Sequence, residues 1–132
     1  MQRLMFSLLA MLVLSSSQKD NTLKGTWEYR GGKFNNKISP APKGYSQQRK
    51  YTDKGFEAYL LEKGEKPVKY EAGNYSLKGD TCLEIQTYCL QSQEMVGVVV
   101  RYSYRVKDDT LFLNATLPNG ARVEDYWKKI KP

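Results

Sequence analysis

Arginine and tyrosine stand two residues apart in this sequence, a spacing suited to holding an anion. In QQRKY, Arg49 and Tyr51 leave the same face of a β-strand. A guanidinium group offers a fork of N–H donors to a carboxylate or phosphate, and a phenol adds one more donor. If both side chains face inward, they form a ligand-binding pair. In the alternative, Arg49 extends along the outer wall to solvent while Tyr51 packs.

Tyrosines supply most of the other candidate binding residues. In VRYSYR, Tyr102 and Tyr104 share one strand face, and Arg101 and Arg105 share the other. The tyrosines could line a ligand pocket or fill a closed interior. The chain has 10 Tyr but 4 Phe, which favours a partly wet cavity. The predicted ligand-binding set is Arg49, Tyr51, Tyr29, Tyr70, Tyr75, Tyr102 and Tyr104.

Groups for metal binding and acid–base catalysis are scarce. The chain has 0 His, which removes the commonest metal ligand and the commonest general base. Asp108 and Asp109 lie in a predicted turn, and Glu124 and Asp125 diverge across a strand, so neither pair predicts a catalytic dyad. The sequence predicts no enzyme, no cofactor and no metal. The alternative is an isomerase or hydrolase that works with tyrosine and a carboxylate.

The two cysteines, Cys82 and Cys89, are predicted to be unpaired. On one strand, their spacing separates them by about 23 Å and directs them to opposite faces. A bond between them requires a turn, and no Gly, Pro, Asn or Asp lies between them. We count them as small apolar residues.

Residues 1–17 have the pattern of a signal peptide, with an apolar run at 4–14 followed by Ser15 and Ser17. An uncleaved anchor is the alternative, although the run is short for a membrane span. We therefore expect an exported protein, periplasmic or extracellular, with one domain at residues 18–132. The net charge of +7 favours anionic ligands or serves solubility. Export and scattered lysines argue against nucleic acid.

Turn signals recur along the chain, and the segments between them alternate apolar and polar residues. Eight strands are predicted, at residues 23–34, 45–52, 56–62, 68–77, 81–90, 96–106, 110–117 and 121–130. Residues 35–44 are predicted to be irregular, with room for a turn of helix as a lid. An antiparallel meander of eight strands hides its edges by closing into a barrel, and a barrel without free edges predicts a monomer.

Four landmarks in order along the chain resemble small bacterial exported lipocalin-like domains of unknown function. Gly25-Thr26-Trp27 matches the G-x-W that opens the first strand of lipocalins. Residues 72–85 (AGNYSLKGDTCLEI), 104–113 (YRVKDDTLFL) and 124–130 (EDYWKKI) resemble later hairpins and the closing strand. The resemblance implies an all-β, calycin-type up-and-down barrel of eight antiparallel strands, in which Trp27 plugs one end. Gly25 shares the inner face with Trp27 and is expected to leave room for its ring.

The predicted function is a non-enzymatic barrel that holds a small apolar, amphipathic or anionic ligand. Small fatty-acid-binding barrels hold a carboxylate with an Arg-x-Tyr pair, which is similar to Arg49 and Tyr51. The open end is expected opposite Trp27, rimmed by residues 35–44 and 63–67. The alternative is an envelope interaction or inhibitor module, a filled barrel that presents loops to a protein or polysaccharide. Interior volume discriminates, because ligand pockets measure hundreds of Å³ and packed cores leave small voids.

Overall fold

The structure, a computed structural model, describes residues 23–131, whose regular secondary structure is almost entirely β-strand. The predicted signal peptide at residues 1–17 lies outside the described residues. No helix between residues 23 and 131 is long and apolar enough to cross a membrane. The strands are β1 (Gly25–Phe34), β2 (Lys37–Pro40), β3 (Ser46–Tyr51), β4 (Phe56–Leu61), β5 (Val68–Lys78), β6 (Thr81–Cys89), β7 (Val99–Lys107), β8 (Thr110–Thr116) and β9 (Arg122–Ile130).

All nine strands belong to one antiparallel sheet that closes on itself. The order is β2-β1-β3-β4-β5-β6-β7-β8-β9, and β1 also pairs with β9. The closing register runs from Thr26–Ile130 to Phe34–Val123. β2 pairs with the last four residues of β1, beyond the part that pairs with β3, so it is an addition to a ring of eight strands. The predicted eight-stranded antiparallel up-and-down barrel is confirmed.

The prediction that residues 35–44 are irregular is wrong for Lys37–Pro40, which form β2. Asn35 and Asn36 have positive φ values of 49° and 66° and connect β1 to β2 in a tight hairpin. Asparagine tolerates this left-handed conformation better than most residues, so Asn-Asn is a hairpin signal. The described segment contains a strand in place of the helical lid.

The predicted strand at residues 96–106 begins later than expected. A short 3₁₀ helix at Gln93–Met95 is followed by Gly97 with φ of 84°, and β7 starts at Val99. The predicted faces hold from there, because Val100 is buried while Val99 and Arg101 are exposed.

Cys82 and Cys89 both lie in the interior, so the prediction of opposite faces is wrong. The pairing of β5 with β6 passes from Ala72–Tyr88 to Gly73–Gln86, which leaves Thr87 as an extra residue. A bulge of this kind restarts the alternation of side chains. Both thiols are free, as predicted.

Apolar side chains fill the end of the barrel where β1 begins. Trp27 has no exposed surface, and its indole N–H donates to the carbonyl oxygen of Leu23 at 2.8 Å. The expectation that Gly25 leaves room for the Trp27 ring is wrong. A Cβ at Gly25 would meet Lys129 at 3.2 Å and would have no atom of Trp27 within 4 Å. Gly25 is instead suited to its φ of 128°, which side chains other than glycine rarely adopt. The core cluster comprises Leu23, Trp27, Tyr51, Phe56, Cys82, Leu111, Leu113 and Trp127.

Gly32 allows β1 and β9 to approach closely near the other end. A Cβ on Gly32 would overlap the carbonyl oxygen of Glu124 and lie 3.1 Å from the Cα of Asp125. Both atoms belong to the backbone of β9, so relief requires the strands to move apart.

We expect Gly32→Ala to lower the free energy of unfolding by about 1–3 kcal/mol, as overpacking does. Gly44→Ala is the matched control, because a Cβ there meets nothing within 4 Å. Urea denaturation of both variants measures the difference. Equal midpoints for Gly32→Ala and wild type would contradict the close approach.

Candidate functional site

A cavity of about 440 Å³ opens at the end of the barrel opposite Trp27. Its walls come from five strands of the ring, and its rim comes from β2 and the loop that follows. The side chains on the walls are Tyr29, Gln47, Arg49, Tyr70, Glu71, Tyr102, Asp125 and Trp127, and those at the rim are Ser39, Pro40, Pro42 and Tyr45. The cavity is thus lined by aromatic rings and ionisable groups rather than by aliphatic side chains.

An irregularity in β5 places two consecutive residues on the cavity wall. The pairing of β4 with β5 passes from Ala58–Glu71 to Tyr59–Lys69, which leaves Tyr70 as an extra residue. In a regular strand Tyr70 and Glu71 would face opposite sides. The bulge allows both to line the cavity.

Arg49 lies at the bottom of the cavity and is held by two carboxylates. It is 5% exposed, so the alternative that it extends along the outer wall is wrong. One terminal nitrogen donates to Glu84 Oε1, and the other donates to Glu71 Oε2 at 3.3 Å. Its Nε donates to the Tyr51 hydroxyl at 2.9 Å, and that hydroxyl donates to Glu84 Oε2 at 2.7 Å. The guanidinium carbon also lies 4.4 Å from the centroid of the Phe56 ring.

Glu84 is a buried carboxylate compensated by several donors. It is 2% exposed and accepts from Arg49, from Tyr51 and, at 3.7 Å, from the Cys82 thiol. Burial lowers the pKa of Arg49, but Glu84, Tyr51, Glu71 and Tyr102 together outweigh that effect, and the pKa stands well above its usual value. Arg49 is therefore charged at any physiological pH. The carboxylate that the sequence predicted to come from a ligand is supplied by the protein itself.

The structure brings together four of the seven predicted binding residues and separates the other three. Arg49, Tyr29, Tyr70 and Tyr102 line the cavity. Tyr51 is buried below it, and Tyr75 and Tyr104 lie toward the plugged end. There the hydroxyl of Tyr75 donates to the carbonyl of Thr52, and that of Tyr104 donates to the carbonyl of Gly79.

Three carboxylates were missed by the sequence reasoning, namely Glu71, Glu84 and Asp125. Glu84 lies on β6 between Leu83 and Ile85, where the apolar residues face outward and the glutamate faces inward. The usual rule that apolar side chains face the interior therefore predicts the wrong inner face for this part of β6. A usable signal is Arg49 itself, because an inward arginine requires a buried carboxylate somewhere else in the chain.

Asp125 lies on the wall of the cavity and titrates unusually. Burial raises its pKa to about 6 from 3.8; Arg49 opposes the rise, and Glu71 and Glu84 add to it. Burial likewise raises the pKa of the Tyr70 and Tyr102 phenols, so both are neutral near pH 7. Among residues 23–131, no group of three or more His, Cys, Asp or Glu side chains is arranged to hold a metal ion.

Solved structures with this barrel include two proteins from Bacteroides. A lipocalin-like protein from Bacteroides uniformis superposes with a TM-score of 0.58 over 82% of this chain and 98% of that chain, at 18% identity. The fold of this chain is lipocalin-like. An uncharacterized protein from Bacteroides eggerthii superposes with a TM-score of 0.59, at 15% identity, over 82% of this chain and 99% of that one. No protein-family model matches the chain, and no curated protein matches it.

The buried charge pair predicts a large and asymmetric response to mutation. Arg49→Met leaves Glu84 charged and buried without its main partner, which costs about 3–5 kcal/mol of unfolding free energy. Adding Glu84→Gln removes that charge and keeps an acceptor for Tyr51. We expect the double variant to regain more than about 1 kcal/mol relative to Arg49→Met alone, measured by denaturant unfolding.

Lys69→Met is the control for losing a cation on the outer wall, where Lys69 lies 3.9 Å from Glu57. Its cost should stay within about 1 kcal/mol. A double variant less stable than Arg49→Met alone would show that the two residues contribute independently.

Asp125 makes the stability of this lipocalin-like barrel depend on pH. Its pKa is higher in the folded state, about 6, than the ordinary value of 3.8, so the folded state binds the extra proton between these values. This contribution to stability is complete below the lower value and is lost as the pH rises through the higher one. Asp125→Asn, which mimics the protonated acid, should be more stable than wild type near pH 8 by about 1–3 kcal/mol.

The gain should shrink when the same denaturation is repeated near pH 4.5, where folded wild type is already protonated at Asp125. A constant gain at both pH values would mean that packing rather than ionisation explains it.

Proposed function

We propose that this lipocalin-like protein is an exported, non-catalytic carrier that binds one small amphipathic molecule in the cavity opposite Trp27. The observation that carries the proposal is the cavity itself. Its volume of about 440 Å³ lies in the range of small-molecule sites, and it reaches into the barrel interior as far as the buried Arg49. A filled barrel that acts through its loops is the second candidate, and the cavity argues against it.

The chemistry of the walls supports an amphipathic ligand. Tyr29, Tyr70 and Tyr102 each combine an apolar ring with a hydroxyl, so together they suit a molecule with both apolar and polar parts. An anionic head group is disfavoured, because Arg49 already donates to Glu71, Glu84 and Tyr51.

The same groups support a binding role rather than a catalytic one. A general base works when neighbouring groups hold it in a fixed geometry. Asp125 is the cavity carboxylate with a raised pKa, yet its side chain makes no hydrogen bond or ion pair with another described residue. Arg49 and Glu84 are bonded mainly to one another, which suits a structural role.

Native mass spectrometry of the protein purified gently from its own source tests the proposal. We expect a monomer that lacks residues 1–17 and carries a discrete added mass, which organic extraction removes. Gln47→Trp should abolish the added mass, because Gln47 lines the cavity and an indole would fill it.

Gln48→Trp is the matched control, since Gln48 is the next residue of β3 and does not line the cavity. It should retain the added mass. An apo mass for wild type, together with crystallographic evidence of a cavity that excludes added ligands, would contradict the carrier function. Equal retention by both variants would place the ligand elsewhere on the protein.

A further inference from the structure

We infer that the molecule held in this cavity is a small organic amine, bound in its protonated form with the cation beside Asp125 and Glu71. The inference rests on the proposed function, because it names the class of ligand for the same cavity. Four features of the cavity carry it: the balance of charge, a carboxylate without a partner, a buried donor without a partner, and the neutral aromatic walls.

The first feature is an excess of negative charge. Arg49 is the one cationic residue on the cavity wall among the described residues, and it is ion-paired with Glu84 and Glu71. Asp125 adds a third carboxylate, whose pKa is raised mainly by burial and further by Glu71 and Glu84, against the opposing effect of Arg49. One positive charge thus faces three negative ones. An anionic ligand would increase this imbalance, and a cationic ligand would reduce it.

The second feature is that Asp125 is free to take a partner. It lines the cavity, and its carboxylate forms no hydrogen bond or ion pair within residues 23–131. A partly buried carboxylate is stabilised when a cation approaches it, and the effect is larger than at the surface because water screens it less. Glu71 shares the wall and accepts one bond, from Arg49, so it retains acceptor capacity for an ammonium group.

The third feature is a buried hydrogen-bond donor that nothing on the described chain satisfies. Trp127 is 3% exposed and lines the cavity, and its indole N–H has no acceptor among residues 23–131. Buried polar groups are nearly always paired in folded proteins. The indole N–H needs an acceptor, which an ammonium group does not offer, so a molecule that completes this site also carries an acceptor such as a hydroxyl or carbonyl oxygen on its body.

The fourth feature is the aromatic wall. Tyr29, Tyr70 and Tyr102 surround the carboxylates, and ring faces attract organic cations. The raised pKa of Tyr70 and Tyr102 keeps their hydroxyls protonated, so these rings add no charge of their own. The walls therefore suit the apolar body of an amine while the carboxylates hold its ammonium group.

Three probes that share one phenyl body and differ in charge test the inference. They are phenethylamine, phenethyl alcohol and hydrocinnamate, which carry a cation, a neutral hydroxyl and an anion. We would titrate each into the full protein near pH 8, where Asp125 is ionised, and follow binding by NMR through the signals of Tyr29, Tyr70 and Tyr102. The amine should bind at least tenfold more tightly than the alcohol, with the acid weaker still.

Asp125→Asn should weaken binding of the amine about tenfold and leave the alcohol unchanged. Asp53→Asn is the matched control. It makes the same chemical change on the surface, at a side chain 78% exposed and paired with Lys24, and should leave all three affinities as in wild type.

The outcomes separate the ligand class from the proposed function. If the alcohol or the acid binds at the cavity as tightly as the amine, or if Asp125→Asn does not weaken the amine, the preference for cations is wrong and the carrier function stands. If none of the probes shifts the cavity signals at millimolar concentration, both are contradicted.

Discussion

The ion pair between Arg49 and Glu84 is the constraint on which the interior depends. It crosses the barrel from β3 to β6 and is tied together by the Tyr51 hydroxyl, which accepts from one partner and donates to the other. Neither charge is tolerable in the interior without the other. Toward Trp27 the space is filled by apolar side chains, and on the other side it is open and polar. The pair therefore forms the floor of the cavity and separates the half that stabilises the barrel from the half available to a ligand.

Charge inside the barrel is opposite in sign to charge on the whole chain. The net charge of +7 describes the long-range field, which salt screens within about 10 Å. A molecule inside the cavity is closer than that to Arg49 and three carboxylates, in surroundings where water screens less. The net charge of the chain therefore bears on solubility and on how fast charged molecules approach the protein, and it does not indicate which ligand charge the cavity binds. This is why the basic composition and the Arg49–Tyr51 spacing both favoured an anion, whereas the geometry favours a cation.

The fold could be predicted from the sequence because it depends on local patterns that repeat. Alternation in β1, β7 and β8 and the turns between strands were sufficient to predict a closed meander, and the resemblance of Gly25-Thr26-Trp27 to the lipocalin G-x-W implied that Trp27 lies at one end. The site could be predicted only in part. The inward tyrosines follow from alternation, but Glu84 is 35 residues from Arg49, and nothing local marks it as the partner. Bulges at Tyr70 and Thr87 shift the faces of β5 and β6, and single-sequence alternation cannot register such a shift.

The irregular positions of the barrel coincide with the cavity. Three pairings shift register, beside Tyr70, at Thr87 and between Tyr29 and Gly31, and all three lie on the cavity side of Tyr51. The plugged half has continuous ladders. A bulge interrupts the ladder of hydrogen bonds locally and changes the direction in which the following side chains point. Here the result is that Glu71 lines the cavity beside the Tyr70 bulge, and Asp125 lies opposite Gly32 where β1 and β9 nearly touch. Departures from regular structure are expected where a protein places groups for a task other than stability, and in this barrel they place the two carboxylates that face the open space.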